Sequence, residues 1–119
     1  MPRVRSTPAT RQRRKKWLKQ AKGYWGRRST LYKKAREAVM KAWADAYKDR
    51  RRRKREMRKL WIIRINARAR EYGLPYGKFM EGLRRSGVQI NRKMLADLAI
   101  RDAQSFESLV KTAKDSLNN

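Results

Sequence analysis

The chain has 119 residues, of which 35 are Lys or Arg and 10 are Asp or Glu, a net charge of +25, and self-repulsion of that size opposes compaction unless a partner supplies negative charge. It has no cysteine and no histidine, which excludes disulfide frameworks, thiolate metal sites and the usual nucleophile–base pairings of enzymes, and no motif for serine, lysine, tyrosine or carboxylate chemistry takes their place. No apolar run is long enough for a bilayer span or a secretory signal, so the expectation is an intracellular, soluble protein that is not an enzyme and needs no cofactor, metal or small-molecule substrate.

The charge is unevenly spread: residues 1–59 hold 24 basic and 4 acidic side chains, net +20, and residues 60–119 hold 11 and 6, net +5. Charged residues make up 38% of the chain against roughly 25% in ordinary domains. The expected organisation is all-α, with a long basic helical N-terminal extension over 1–59, a small globular helical C-terminal domain over 60–119, and one long helix, 30–72, spanning the junction.

In chain order, Met1 to Thr10 carries Pro2 and Pro8 with Arg3 and Arg5 between small or β-branched residues, which disfavours a helix and suits an extended, phosphate-tracking tail. Arg11 to Lys22 predicts a short helix with Trp17, Leu18 and Ala21 as its apolar stripe. Around the remainder stand Arg11, Arg13, Arg14, Lys15, Lys16, Lys19 and Lys22. Gly23 ends it, and Gly23, Tyr24, Trp25 and Gly26 make an aromatic hinge whose rings suit either a core or stacking on bases and riboses.

From Thr30, a plausible N-cap, to Tyr72 no Gly or Pro interrupts the chain. As one helix this stretch would extend about 65 Å, so it needs an external support or a bend. Glu37 with Lys41 and Asp49 with Arg53 are at pairing distance along it. Ala35, Ala38, Ala42 and Ala46 form a narrow row beside Val39, Trp43 and Tyr47, which serves equally a helix-packing seam or close approach of RNA.

Within the same helix Arg50, Arg51, Arg52, Arg53, Lys54 and Arg55 are consecutive. At about 100° per residue they point in every radial direction and leave no inside face. Arginine's planar fork suits phosphate oxygens, so the partner expected to surround this rod is a nucleic acid.

Leu60, Trp61, Ile62, Ile63 and Ile65 form the first dense apolar patch, where the core is expected to begin. Gly73 closes the long helix and Pro75 opens the next, 75–86, which buries Phe79, Met80 and Leu83 before Gly87 ends it. After the extended link Val88, Gln89 and Ile90, Asn91 caps a fourth helix carrying Met94, Leu95, Leu98 and Ala99 to about Arg101. Asp102 caps a fifth through Phe106, Leu109, Val110, Ala113 and Leu117. Asp97 and Asp102 are the one tempting carboxylate pair, and surface solubility and capping explain them better than catalysis.

Three blocks, Lys19–Ser29 as KQAKGYWGRRS, Ala46–Arg68 as AYKDRRRRKREMRKLWIIRINAR and Asn91–Ala99 as NRKMLADLA, resemble the bacterial large-subunit ribosomal protein L20 family, and the likeness runs over nearly the whole chain. The resemblance implies an N-terminal extension threaded through large-subunit rRNA and a helical C-terminal domain nearer the subunit surface. It implies a cytoplasmic, ribosome-bound protein that is needed for early subunit assembly and takes no part in decoding or peptide transfer. Its partners would be rRNA, neighbouring large-subunit proteins and, in some members, their own messenger RNA.

Carried over by motif, the rRNA-contacting residues would include Lys19, Lys22, Gly23, Tyr24, Trp25, Gly26, Arg27, Arg28 and Ser29, and the block Arg50 to Arg55. Trp61, Arg64, Asn66 and Arg68 would join extension to domain. Arg3, Arg5, Arg11, Arg13, Arg14, Lys15, Lys16, Tyr32, Lys33, Arg58, Arg92 and Lys93 complete the candidate set. The physics expected of such a segment is counterion release coupled to folding on RNA. A nucleoid-associated, DNA-compacting protein is the alternative that +25 also allows. A membrane-active cationic peptide fits less well, because the extension lacks a broad apolar face.

Overall fold

A computed structural model describes residues 7–119; Arg3 and Arg5 lie outside the described residues. All regular structure among the described residues is helical: α1 Pro8–Gln20, a 3₁₀ turn Gly26–Arg28, α2 Tyr32–Glu71, α3 Tyr76–Arg85, α4 Arg92–Arg101 and α5 Ala103–Asn118. The chain divides into two compact units, one ending at Arg51 and one running Arg52–Asn119, and α2 contributes residues to both.

In the first unit, α1 begins earlier than the sequence reading placed it. The extended tail expected up to Thr10 is corrected at its end: Pro8 opens the helix, because proline at the first helical position loses no hydrogen bond and Thr7 caps it by accepting from the Thr10 amide. The interior of this unit is small. Ala21, Ala35 and Val39 are buried, with Trp17, Leu18 and Tyr24 packed against them. Thr30 is not the N-cap of α2. The amides of Thr30 and Leu31 both bond back to the Arg27 carbonyl, prolonging the 3₁₀ turn, so the helix starts at Tyr32 and the Leu31 carbonyl accepts from the Ala35 amide.

The second unit holds the larger core. Ile65, Ala69, Leu74, Phe79, Leu83, Leu95, Ala96, Ala99, Phe106, Val110 and Ala113 are buried together, and the Phe79 and Phe106 rings lie 5.1 Å apart at its centre. Each buried phenylalanine contributes about 1.5–3 kcal/mol relative to exposure. α2 ends where Gly73, at φ 78°, takes the left-handed conformation. The Leu74 amide donates to the Ala69 carbonyl and the Gly73 amide to the Arg70 carbonyl, a paired closure that satisfies the last helical carbonyls. Lys114 adds a bond from its ammonium to the Tyr72 carbonyl, 2.6 Å. α5 packs on α3 and α4, and the closest approach is at Gly82: a Cβ there would sit 2.5 Å from the Ala113 carbonyl oxygen.

Pro75 stands just outside α3 as its N-cap, with the helix running Tyr76–Arg85. Asn91 and Asp102 cap α4 and α5 by accepting from the Met94 and Ser105 amides. The apolar patch at the start of this unit is only partly core. Ile65 is buried and Trp61 packs against the cluster, but Ile63 is 63% and Leu60 37% exposed. With about 100° per residue, Ile63 and Leu60 fall roughly 160° and 140° around α2 from Ile65, whereas Trp61 falls within about 40°. Met94, also expected inside, is exposed.

The ion pairs differ from those expected as well. Glu37 pairs with Lys34 at 3.9 Å, Lys41 with Asp45 at 3.3 Å, and Glu56 with Arg52 at 2.7 Å. Neither Glu37–Lys41 nor Asp49–Arg53 is among the pairs of the described residues.

Candidate nucleic-acid interface

The basic run on α2 meets the physical condition for a surrounded rod. Every residue from Arg50 to Leu60 is exposed, and among the described residues only Arg52 in the run is held by a carboxylate, that of Glu56. Arg51 donates to the Tyr47 hydroxyl at 2.6 Å and lies 4.8 Å from its ring centre, an arrangement that keeps its guanidinium extended over an exposed aromatic. Arg50, Arg53, Lys54, Arg55 and Arg58 make no ion pair or hydrogen bond among the described residues, which leaves their donors available to phosphate.

On α1, Arg11, Arg13, Arg14, Lys15, Lys16 and Lys19 are exposed, as are Lys22 and Lys33. Two arginines are already ordered by aromatic rings: Arg14 sits 5.5 Å over Tyr32 and Arg36 sits 5.7 Å over Trp17. Trp17 also packs on Trp43, ring centres 5.4 Å apart. These stacked pairs show that the rings of α1 and α2 serve packing and charge placement together. The alanine row likewise divides between the two uses open to it. Ala35 is buried in the seam with α1, while Ala38 and Ala42 line an open hollow.

The hinge between α1 and α2 divides too. Tyr24 packs against the small core, and Trp25 is 75% exposed. Gly23 and Gly26 have φ of 89° and 60°, the left-handed region glycine enters without strain, and they bracket the two aromatics. Ser29 donates to the Gly26 carbonyl at 2.9 Å, fixing the turn that follows. Arg27 and Arg28 are exposed and make no ion pair among the described residues. A hollow of about 750 Å³ is lined by Tyr24, Trp25, Arg28, Lys34, Ala38 and Ala42 among others, and one of about 740 Å³ by Trp25, Arg27, Arg28, Leu31 and Lys34. Lys34 and Leu31 were not singled out in the sequence. Lys34 was legible, since it shares a face of α2 with Ala38, Lys41 and Ala42 at helical spacing.

In the second unit several candidate residues turn out to hold the fold. Arg68 donates to the Ala99 carbonyl at 2.8 Å and to Glu71 at 2.7 Å. Asn66 accepts from the Tyr76 amide and from Arg70, and Arg92 donates to the Tyr76 hydroxyl at 2.7 Å. Trp61 is half-buried, and Arg64 and Lys93 are exposed. Asp97 pairs with Arg101 at 3.1 Å, and Asp102 caps α5, its carboxyl held below the usual range by the Ser105 hydroxyl and amide. No group of carboxylates among the described residues is placed to hold a metal ion. No helix among them is long and apolar enough to cross a membrane.

Comparison with known proteins adds an independent observation. The family model described as Ribosomal protein L20 matches residues 3–109. Over 117 residues the chain is 56% identical to the large ribosomal subunit protein bL20 of Carboxydothermus hydrogenoformans, covering 98% of this chain and 100% of that protein.

Proposed function

Because the chain belongs to the ribosomal protein L20 family, we propose that it is a structural component of the large ribosomal subunit that binds large-subunit rRNA directly and is required early in assembly. It works by placement and neutralisation of charge, not by catalysis. The observation that carries this reading is the run Arg50–Arg55, exposed on all sides of α2, in which only Arg51 and Arg52 have a side-chain partner among the described residues. A helix charged around its whole circumference is matched by phosphates on all sides, which a folded RNA provides and a flat surface does not.

The mechanism follows from the charge balance. Residues 1–51, the first unit, hold 18 basic and 3 acidic side chains, net +15, and the unit offers mainly Ala21, Ala35 and Val39 as its interior. Burial of two alanines and a valine is weak opposition to that repulsion. Phosphates therefore stabilise the helices of the first unit by releasing their own counterions and neutralising α1 and α2. Once ordered, the segment links rRNA elements whose mutual repulsion it has reduced, and fixes their relative placement for later steps of assembly.

The second unit, with its larger core, folds by itself and brings Arg64 and Lys93 to the surface. Its partners are rRNA and neighbouring large-subunit proteins. Repression of the chain's own messenger through this unit is part of the proposal, and is tested by whether raising the level of the protein lowers expression of a reporter fused to that messenger's leader.

The test of the main reading is replacement of Arg52, Arg53 and Arg55 by Ala in the full chain, followed by quantitation of the protein in gradient-purified large subunits. Incorporation should fall several-fold while the second unit stays folded. Undiminished incorporation at physiological salt would refute the role given to the run. Equal affinity for duplex DNA and folded large-subunit rRNA at every salt concentration would favour DNA compaction instead.

A further inference from the structure

We infer that Trp25 and the hollow beside it form a receptor for a single unpaired nucleotide, the base stacking on the indole and its phosphate held by Arg27, Arg28 and Lys34. The inference rests on the rRNA-binding reading above and adds to it a preference for unpaired over paired RNA at one place on the protein.

Four observations converge. Trp25 is the most exposed of the large apolar side chains among the described residues, at 75%, although the first unit has few apolar residues to spare for its interior. Next to it Leu31 is also exposed, at 45%, and the two line the same hollow of about 740 Å³, within the range of roughly 300–1,000 Å³ that holds small ligands. The other residues lining it are Arg27, Arg28 and Lys34. The hollow therefore joins two apolar surfaces to three cations with no carboxylate among its lining residues. The other hollow that Trp25, Arg28 and Lys34 line, bordered by Ala38 and Ala42, does contain Glu37 and Asp45, and these already neutralise Lys34 and Lys41 in part, at 3.9 and 3.3 Å.

The ligand that matches this composition has a flat apolar face and an anionic group a few ångströms away. A paired RNA helix presents phosphates outward but keeps its base faces stacked inside, so it satisfies the cations and leaves Trp25 and Leu31 in water. An unpaired nucleotide satisfies both, because its base is free to stack on an aromatic ring while its phosphate remains on the backbone. Tyr24, by contrast, is taken up by the small core. Trp25 is thus the ring of the hinge that remains available for stacking.

The experiment is chemical probing of base reactivity along intact large-subunit rRNA with the full-length wild-type protein, Trp25→Ala and Trp25→Phe. Circular dichroism of each variant checks that the helices are retained. Wild type should protect one or a few unpaired bases that become reactive again with Trp25→Ala and stay partly protected with Trp25→Phe, while the rest of the footprint is unchanged. Binding of the rRNA should weaken about fivefold or more with Trp25→Ala, the lower end of what one stacked base contributes.

A footprint identical for wild type and Trp25→Ala would overturn the inference. So would loss of incorporation into the subunit with an unaltered footprint, which would assign Trp25 to a neighbouring protein. Absence of any wild-type footprint is a different result, since it would refute the rRNA-binding reading itself.

Discussion

The two units of this protein solve opposite problems with the same secondary structure. The second encloses a core centred on Phe79 and Phe106, holds its helix ends with Gly73, Asn91 and Asp102, and engages Arg68 and Arg92 in internal hydrogen bonds. Among the described residues, the first buries little beyond Ala21, Ala35 and Val39 and leaves most of its cations without an ion-pair or hydrogen-bond partner. Helix alone therefore says little about autonomy. What matters is where the arginine donors go: inward to a carbonyl and a phenol for Arg68 and Arg92 beside the larger core, outward for the cations of α1 and for Arg50, Arg53 and Arg55 of the run on α2, which continues past the first unit's end at Arg51.

This contrast breaks most sharply if the second unit loses its centre. Phe106→Ala should destabilise that unit by about 3–5 kcal/mol, enough to unfold a domain of this size, which chemical denaturation followed by circular dichroism would register. Removing Arg52, Arg53 and Arg55 should leave this transition unmoved. The same triple variant should instead reduce the slope of log affinity against log salt for large-subunit rRNA by about 2–3, at roughly 0.7–0.9 per lost phosphate contact.

Gly82→Ala tests the contact between α3 and α5. The added methyl meets the backbone of Ala113, which cannot give way as a side-chain tip can, so a loss of about 1–3 kcal/mol is expected. Smallest is the effect of Asp102, fully exposed yet with its carboxyl held low by Ser105. A depressed folded-state value means its cap is present above the ordinary carboxylate range and is lost as pH falls through that lowered value. Asp102→Asn should remove this acid-side contribution to unfolding profiles measured below pH 3.8, the carboxylate's ordinary value, and change little near neutrality.

Much of the second unit was legible because its signals are local. Asn91 and Asp102 read as caps, Gly73 as a helix end, and Phe79, Leu83, Leu95, Phe106 and Val110 as a core by spacing alone. The errors came where angle or competition decided. Leu60 and Ile63 looked apolar enough to be buried, but the turn of the helix carries them away from Ile65. Thr7–Pro8 was a cap and first helical residue that was mistaken for a tail. Thr30 lost its capping role to the 3₁₀ turn before it.

At the interface, composition pointed to the exposed run Arg50–Arg55. It did not separate Arg68, Asn66 and Arg92, whose bonds depend on residues 10 to 31 positions away. Nor did it divide the hinge into an inward Tyr24 and an outward Trp25, because that depends on how α1 returns onto α2.

Hydrogen exchange of the full chain, with and without large-subunit rRNA, tests the contrast most directly. Amides around Ile65, Phe79, Leu95 and Val110 should be protected in both conditions, while those of α1 and of α2 from Tyr32 to Arg51 should become protected only when rRNA is present. Equal protection of α1 without rRNA would contradict the proposal that phosphates stabilise the first unit.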